Sequence, residues 1–160
     1  MLSNLFKKRS LEVFAPAKGE IIQLDKVPDP VFSEKMMGEG VAIIPSEGRI
    51  HAPIEGTIIL VAETKHAVGI RSHDGTEILI HIGLETVSLN GEGFKVHVKA
   101  GDSVSIGQLL IEVDLTYIKK NAKSTITPII VTNSHDRKIQ YTRMNEYISD
   151  ETVIMTIAGL

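Results

Sequence analysis

The chain has 160 residues, a formal net charge of −3 and no cysteine. Its length fits one domain that buries most of its apolar surface. The net charge is slightly negative and no Lys/Arg cluster lies in the expected folded part, which argues against nucleic acid as a partner. Without cysteine there is no disulfide, no thiol nucleophile and no Cys-type zinc site, and without a membrane-spanning run or signal peptide we expect a cytoplasmic protein.

Residues 1–10, "MLSNLFKKRS", are predicted to form a flexible basic tail before a domain at 11–160. Few residues at a terminus order themselves unaided, which favours a frayed tail. The alternative is a short helix on an anionic membrane surface, because three apolar residues recur at helical spacing beside three basic ones. They are Leu2, Leu5 and Phe6 beside Lys7, Lys8 and Arg9. Peripheral membrane association through this tail therefore stays open.

After the tail, short β-branched runs alternate with Gly, Pro, Asp and Asn punctuation. The runs are "EIIQL", "GVAII", "GTIILV", "AVGIRS", "TEILIHIG", "SVSIGQLLIEV", "TPIIVT" and "TVIMTIA". Many short strands at close spacing predict an all-β fold, an antiparallel sandwich or flattened barrel. One or two helical turns are expected, at 115–124 and in the segment around 33–37, which follows two prolines.

Two segments repeat the pattern A-P-x-x-G-x-I-I: "APAKGEIIQL" at 15–24 and "APIEGTIILV" at 52–61. A unit used twice predicts internal pseudo-duplication. A third segment, "VKAGDSVSIGQLLIEVD" at 98–114, resembles the half-motif of biotinyl and lipoyl carrier domains. It lacks the lysine at a hairpin tip that those domains modify, so this likeness concerns architecture and not swinging-arm chemistry.

The stretch "GTEILIHIGLETV" places His81 inside an apolar run, where a lone histidine is usually a core residue. The preceding strand begins near His66, and "SHDG" forms the turn between them. A two-residue loop would place Val68 opposite His81, and a four-residue loop would place His66 there. Both even lengths put the two histidines on one face, since side chains alternate along a strand.

Three chemistries use two neighbouring imidazoles. A zinc hydrolase of similar barrel architecture is the alternative, but the spacings H-x(3)-D and H-x-H of such enzymes are missing. Acid–base hydrolysis lacks a credible triad, because Ser72, His73 and Asp74 are consecutive on one turn. Phosphoryl transfer through a phosphohistidine needs only a neutral nucleophilic ring and a second ring that donates to the phosphoryl oxygens.

From about Val13 onward the chain closely resembles the glucose-class enzyme IIA component of the phosphoenolpyruvate-dependent sugar phosphotransferase system. The segments that carry the resemblance are "PDPVFSEKMMGEGVAI", "APIEGTI", "ETKHAVGI" and "GTEILIHIGLETVSLNGEGF". The resemblance implies that His81 is phosphorylated and that His66 supports it. It also implies that the Thr64 hydroxyl orients His66, and that the Gly83 carbonyl takes the Nδ1 proton of His81 and leaves Nε2 to attack.

The family resemblance further implies a phosphohistidine relay without cofactor or metal. The donor would be the phosphocarrier protein HPr, and the acceptor the cysteine of a IIB domain of a sugar permease. Since the chain ends at Leu160 without a linker, we expect a free-standing component. An exposed apolar ring around His81 is expected to meet the partners, flanked by two acidic residues that steer them. The ring residues are Val31, Phe32 and Val87, and the acids are Asp29 and Glu85.

Overall fold

The structure of the protein is a computed structural model in which residues 10–158 are described. These residues form fourteen short strands. They are β1 (Leu11–Phe14), β2 (Gly19–Gln23), β3 (Glu39–Pro45), β4 (Arg49–His51), β5 (Gly56–Val61), β6 (Ala67–Arg71), β7 (Glu77–His81), β8 (Phe94–Val96), β9 (Ser103–Val104), β10 (Leu109–Val113), β11 (Thr127–Val131), β12 (Ile139–Tyr141), β13 (Glu146–Ile148) and β14 (Val153–Ile157). The prediction of an all-β fold is confirmed.

The described strands build three antiparallel sheets and not a closed barrel. The largest has eight strands in the order β13-β2-β3-β11-β7-β6-β5-β9, and the smaller two are β1-β14-β12 and β4-β10-β8. Neighbours in the large sheet are antiparallel throughout. Of the two predicted architectures, the sandwich is therefore the one observed.

The repeated segment is a structural repeat. The backbone N–H of Phe14 donates to the Pro53 carbonyl at 2.9 Å, and that of His51 donates to the Pro16 carbonyl at 2.7 Å. These two bonds join equivalent positions of the two copies, so the copies face each other across a local two-fold relation. The predicted pseudo-duplication is thus visible in the backbone hydrogen bonding.

The central strands of the large sheet, β3, β11, β7 and β6, are mostly buried on both faces, and each face packs in a different apolar cluster. One face contributes residues such as Val41, Ile80 and Ile129 to the main core, which also takes in residues of both small sheets. The opposite face carries Ala67 and Leu79 in a second apolar cluster. Because side chains alternate along a strand, His81 lies on the same face as Leu79, at the border of this second cluster.

Two α-helices are present in the described residues, besides three 3₁₀ turns at Leu24–Lys26, Val87–Leu89 and Ser134–Asp136. Helix α1 is Pro30–Ser33, four residues in length, and α2 is Leu115–Asn121, within the range predicted for a helical turn. The helix expected around 33–37 is misplaced. It begins earlier, because Asp29 accepts from the Val31 N–H as N-cap and Pro30 occupies the first helical position. It cannot reach Met37, since Lys35 has a left-handed φ of 59°.

No helix among residues 10–158 is long and apolar enough to cross a membrane. The predicted basic tail falls almost wholly on residues 1–9, outside the described residues. Its membrane association and the boundary of the domain at residue 11 therefore stay predictions.

Candidate functional site

The two histidines meet, although the predicted hairpin register is wrong. The Ser72 N–H donates to the Thr76 carbonyl at 2.9 Å, which leaves a three-residue loop. Ala67, and neither Val68 nor His66, therefore lies opposite His81. Strict alternation beyond that pair would send His66 to the other face of the sheet.

Strict alternation fails because His66 lies outside the strand. Lys65 has a φ of 65°, so the chain turns just before β6 begins at Ala67. The His66 carbonyl still accepts from the Ile82 N–H at 2.7 Å, which ties this turn to the end of β7. The centroids of the two imidazole rings lie 4.9 Å apart, with the ring planes at 76°. The neighbouring pair is thus present, produced by a turn and not by strand parity.

The protonation state of His81 follows from its backbone partner. Its Nδ1 lies 2.9 Å from the Gly83 carbonyl oxygen, which can only accept a hydrogen bond. In the neutral ring the proton therefore lies on Nδ1, and Nε2 carries the free lone pair. Gly83 reaches this position with a φ of 79°, a conformation that favours glycine.

The partner of His66 is Thr64. The Thr64 Oγ1 lies 2.7 Å from the His66 Nδ1. When the hydroxyl donates to Nδ1, the proton of the neutral His66 ring lies on Nε2, and that ring becomes a donor. The two histidines then have complementary roles, one with a lone pair and one with a proton to donate.

The surroundings of both rings favour the neutral form. Burial lowers the pKa of His81 below its usual 6.5, and the neighbouring His66 lowers it further. The Gly83 carbonyl and the Asp29 carboxylate oppose this shift in part. Burial also lowers the pKa of His66, against a smaller opposing effect of the Thr64 backbone. A ring that stays neutral is the nucleophilic form of histidine.

The predicted apolar ring is only partly exposed. Val31 and Val87 are 39% and 57% exposed, as expected for partner contacts. Phe32 contradicts the prediction, because it is only 3% exposed. It belongs to the second apolar cluster, and its ring centroid lies 4.9 Å from that of His81. Phe32 therefore packs beneath the site and fixes one side of the His81 ring, and it is not part of a surface rim.

The two predicted acids lie in different settings, and of the two the Asp29 carboxylate acts on the pKa of His81. Glu85 is exposed and has a left-handed φ of 57°. Asp29 is half-buried, and its Oδ1 accepts from the Val31 N–H at 3.0 Å. This capping role was not predicted, although the pair Asp-Pro before an apolar run is a readable signal for a helix start.

Within residues 10–158, no group of three His, Asp or Glu side chains lies close enough together to hold a metal ion. A zinc hydrolase needs three protein ligands around its metal. The described residues therefore give the zinc alternative no ligand set at the histidine pair.

Residues 11–137 match the family described as phosphoenolpyruvate-dependent sugar phosphotransferase system, EIIA 1. The matched segment includes the strands of the large antiparallel sheet that bring the two imidazole rings together. The chain belongs to this EIIA family, and the resemblance found in the sequence is confirmed.

Individual relatives agree with this assignment. The glucose-specific EIIA component of Oceanobacillus iheyensis is 46% identical over 98% of this chain and 99% of its own length. The glucose-specific EIICBA component of Staphylococcus carnosus is 51% identical over 89% of this chain. That protein is much longer, and the match covers only 21% of its length. Among solved structures, the glucose permease IIA from Mycoplasma capricolum has a TM-score of 0.89 and 42% identity, covering 94% of this chain and 97% of that one.

Proposed function

We propose that this chain is a phosphohistidine relay in sugar uptake, with Nε2 of His81 as the acceptor. The observation that carries the proposal is the bond between His81 Nδ1 and the Gly83 carbonyl, which leaves a lone pair on Nε2 of a neutral ring. Membership of the EIIA family supports phosphoryl transfer as the chemistry. His81 stands at the end of a strand, so its direction is fixed before a partner arrives.

The proposed donor is the phosphohistidine of HPr. Nε2 of His81 attacks the phosphorus in line, a new N–P bond forms, and the N–P bond to the donor ring breaks as that ring leaves with the electron pair. In the second step the thiolate of a IIB cysteine attacks the phosphorus, and the phosphoryl group leaves Nε2. Both transfer steps would take place in the cytoplasm.

His66 is proposed to stabilise charge on the phosphoryl group. A loose transition state spreads negative charge over the three equatorial oxygens, and a fixed donor beside them lowers the barrier. The ring contact with His81 and the Thr64 hydroxyl at Nδ1 support Nε2–H of His66 as that donor. Thr64 would then select the tautomer that presents the proton.

The proposed docking surface consists of Val31 and Val87 with Asp29 and Glu85. The two exposed valines would exclude water from the transferring group, and the acids would attract basic groups on the partners. Relay partners must part within a turnover, so we expect an interface near the low end, about 1,200 Å² in total.

The test is incubation with labelled phosphoenolpyruvate, enzyme I and HPr. The proposal predicts an acid-labile, base-stable label on the wild-type chain and on His73→Gln, a control histidine exposed on the β6–β7 loop. His81→Gln should carry none. A wild-type chain that stays unlabelled, or a His81→Gln chain that is labelled, would contradict the proposal. Addition of a IIB domain should then remove the label from His81, whereas a IIB domain without its cysteine should not.

A further inference from the structure

The direction of the Gly83 carbonyl decides which nitrogen of His81 is free. The orientation of a carbonyl is set by the orientation of its peptide plane. Two such planes meet at the Gly83 Cα: the Ile82–Gly83 peptide before it and the Gly83–Leu84 peptide after it. Gly83 has a φ of 79° and no side chain, so the residue itself does not hold either plane in one orientation. The surrounding contacts must therefore set the position of the Gly83 oxygen.

The peptide plane after Gly83 is held from its far side. The Leu84 N–H donates to the Ser124 carbonyl at 2.9 Å, and the Lys123 N–H donates back to the Leu84 carbonyl at 3.2 Å. Because the peptide is planar and trans, the Gly83 oxygen points away from the Leu84 N–H. Ser124 thus holds one side of this peptide while His81 binds the other.

The peptide plane before Gly83 is held by Thr86. Its Oγ1 donates to the Ile82 carbonyl at 2.7 Å, and the residue is completely buried. Thr86 also occupies the N-cap position of the 3₁₀ turn Val87–Leu89, yet its side chain caps nothing there. A threonine at an N-cap normally accepts from the turn that follows it. Here its hydroxyl donates backwards to the strand end that carries His81.

The same two neighbours leave no room for a side chain at Gly83. A Cβ built there would lie 2.5 Å from the Thr86 Cγ2 and 2.9 Å from the Ser124 carbonyl oxygen. Thr86 therefore limits Gly83 both by a hydrogen bond and by direct packing. The hydroxyl group is the part that can be removed without changing the packing.

We propose that Thr86 is a positioning residue for His81: its hydroxyl fixes the Ile82–Gly83 peptide so that the Gly83 carbonyl meets Nδ1 of His81. Thr86 touches no reacting group, and it acts through Gly83. The consequence for transfer rests on the proposed function, whereas the orientation of the His81 ring does not.

The test combines an isosteric variant with nitrogen NMR of the histidine rings. Thr86→Val keeps the packing and removes the hydroxyl, so part of the neutral His81 population should move its proton from Nδ1 to Nε2. The rate constant of phosphoryl transfer should fall about tenfold, as for other partners one step removed from a reacting group, with the KM for the donor unchanged. Thr86→Ser should restore the tautomer and the rate.

Thr76→Val is the matched control. Thr76 is as buried as Thr86 and comes directly before β7, the strand that ends at His81. Its Oγ1 has no hydrogen-bond partner among the described residues. This variant should leave the tautomer and the rate at wild-type values. An equal effect in both valine variants, or a Thr86→Val protein with the wild-type tautomer, would overturn the proposal.

One further measurement covers a Thr86→Val protein that does not fold, and the tautomer itself covers a chain that takes no phosphoryl group. If Thr86→Val does not fold, the hydrogen bond can be tested in the wild-type protein instead. Its Thr86 hydroxyl proton should exchange slowly with water, and rapid exchange would contradict the proposal. If the wild-type chain takes no phosphoryl group, the tautomer shift in Thr86→Val still supports the positioning role, and only the proposed function fails. The two inferences can therefore fail separately.

Discussion

The two copies of the repeated segment begin alike and then diverge. In each copy a glycine starts the strand in close contact with a neighbouring carbonyl: a Cβ at Gly19 would lie 2.1 Å from the Ile44 oxygen, and one at Gly56 would lie 2.2 Å from the Arg71 oxygen. Each strand then pairs with the strand that follows it in the chain, β2 with β3 and β5 with β6. The shared unit is therefore the scaffold.

What differs is the connection that follows each copy. After the first copy, residues 25–38 contain α1 and fold over the sheet, with Asp29 as helix cap and Phe32 beneath the site. After the second, residues 62–67 form a tight turn that places Thr64 and His66. One connection thus supplies packing and part of the proposed docking surface, and the other supplies the ring proposed to support His81. Duplicated units acquire function in the loops that a rigid scaffold positions.

The largest effect is expected on stability, and it should distinguish a residue of the first connection that packs on the sheet from a neighbouring residue that is exposed. Phe32→Ala removes a buried ring, so we expect a loss of about 3–5 kcal/mol of unfolding free energy. The neighbouring Val31→Ala is the matched control, because Val31 is exposed and should cost under about 0.5 kcal/mol. Chemical denaturation measures both. A Phe32→Ala protein as stable as Val31→Ala would show that the first connection is not packed on the sheet as described.

The second connection should affect the rate and not the stability. His66→Gln removes the proposed donor to the phosphoryl oxygens, so the barrier to transfer should rise by about 3–4 kcal/mol, as for other lost oxyanion donors. Rapid-quench kinetics with phosphorylated HPr measure the rate, and thermal unfolding measures stability. His73→Gln should transfer normally. Normal transfer by His66→Gln would remove the assigned role, even though the rings are in contact.

The lowered pKa values of His66 and His81 make the stability of the protein depend on pH. Both folded-state pKa values lie below 6.5, so between 6.5 and those values the unfolded chain binds protons that the folded chain does not. This contribution to stability is fully present above pH 6.5 and is lost as the pH falls through the folded values. Denaturation at a series of pH values should show a smaller loss below pH 6.5 for His81→Gln than for wild type. Equal slopes would contradict the lowered pKa of His81.

The smallest effect concerns the charge on the first connection. Asp29→Asn keeps a side-chain oxygen that can cap α1 but removes the negative charge, so stability should hardly change. Association with the basic partner should slow at low salt, and the difference should close as salt screens the charge. Glu85→Lys, outside both connections, should give a larger change of the same kind. Stopped-flow association rates that are independent of salt in both variants would argue against steering by these acids.

The sequence predicted the fold class, the repeat and the two histidines, because strand periodicity and punctuation are local signals. It did not predict the three-residue loop, since "SHDG" permits several turn lengths and a change of one residue reverses strand parity. It placed Phe32 on the surface, because proline punctuation marks a loop but does not reveal that the loop folds back over the sheet. Thr86 was missed for a related reason: its hydroxyl bond to Ile82 depends on a backbone turn at Gly83.

Nitrogen-15 labelling of the histidines, combined with phosphorus NMR, shows which nitrogen receives the phosphoryl group. After phosphorylation by enzyme I and HPr, we expect a single phosphohistidine that is bonded through Nε2 of His81, with Nδ1–H still bound to the Gly83 carbonyl. The signal should disappear in His81→Gln and persist in His73→Gln. A phosphoryl group bonded to Nδ1 of His81, or to any other histidine, would show that Nε2 of His81 is not the acceptor.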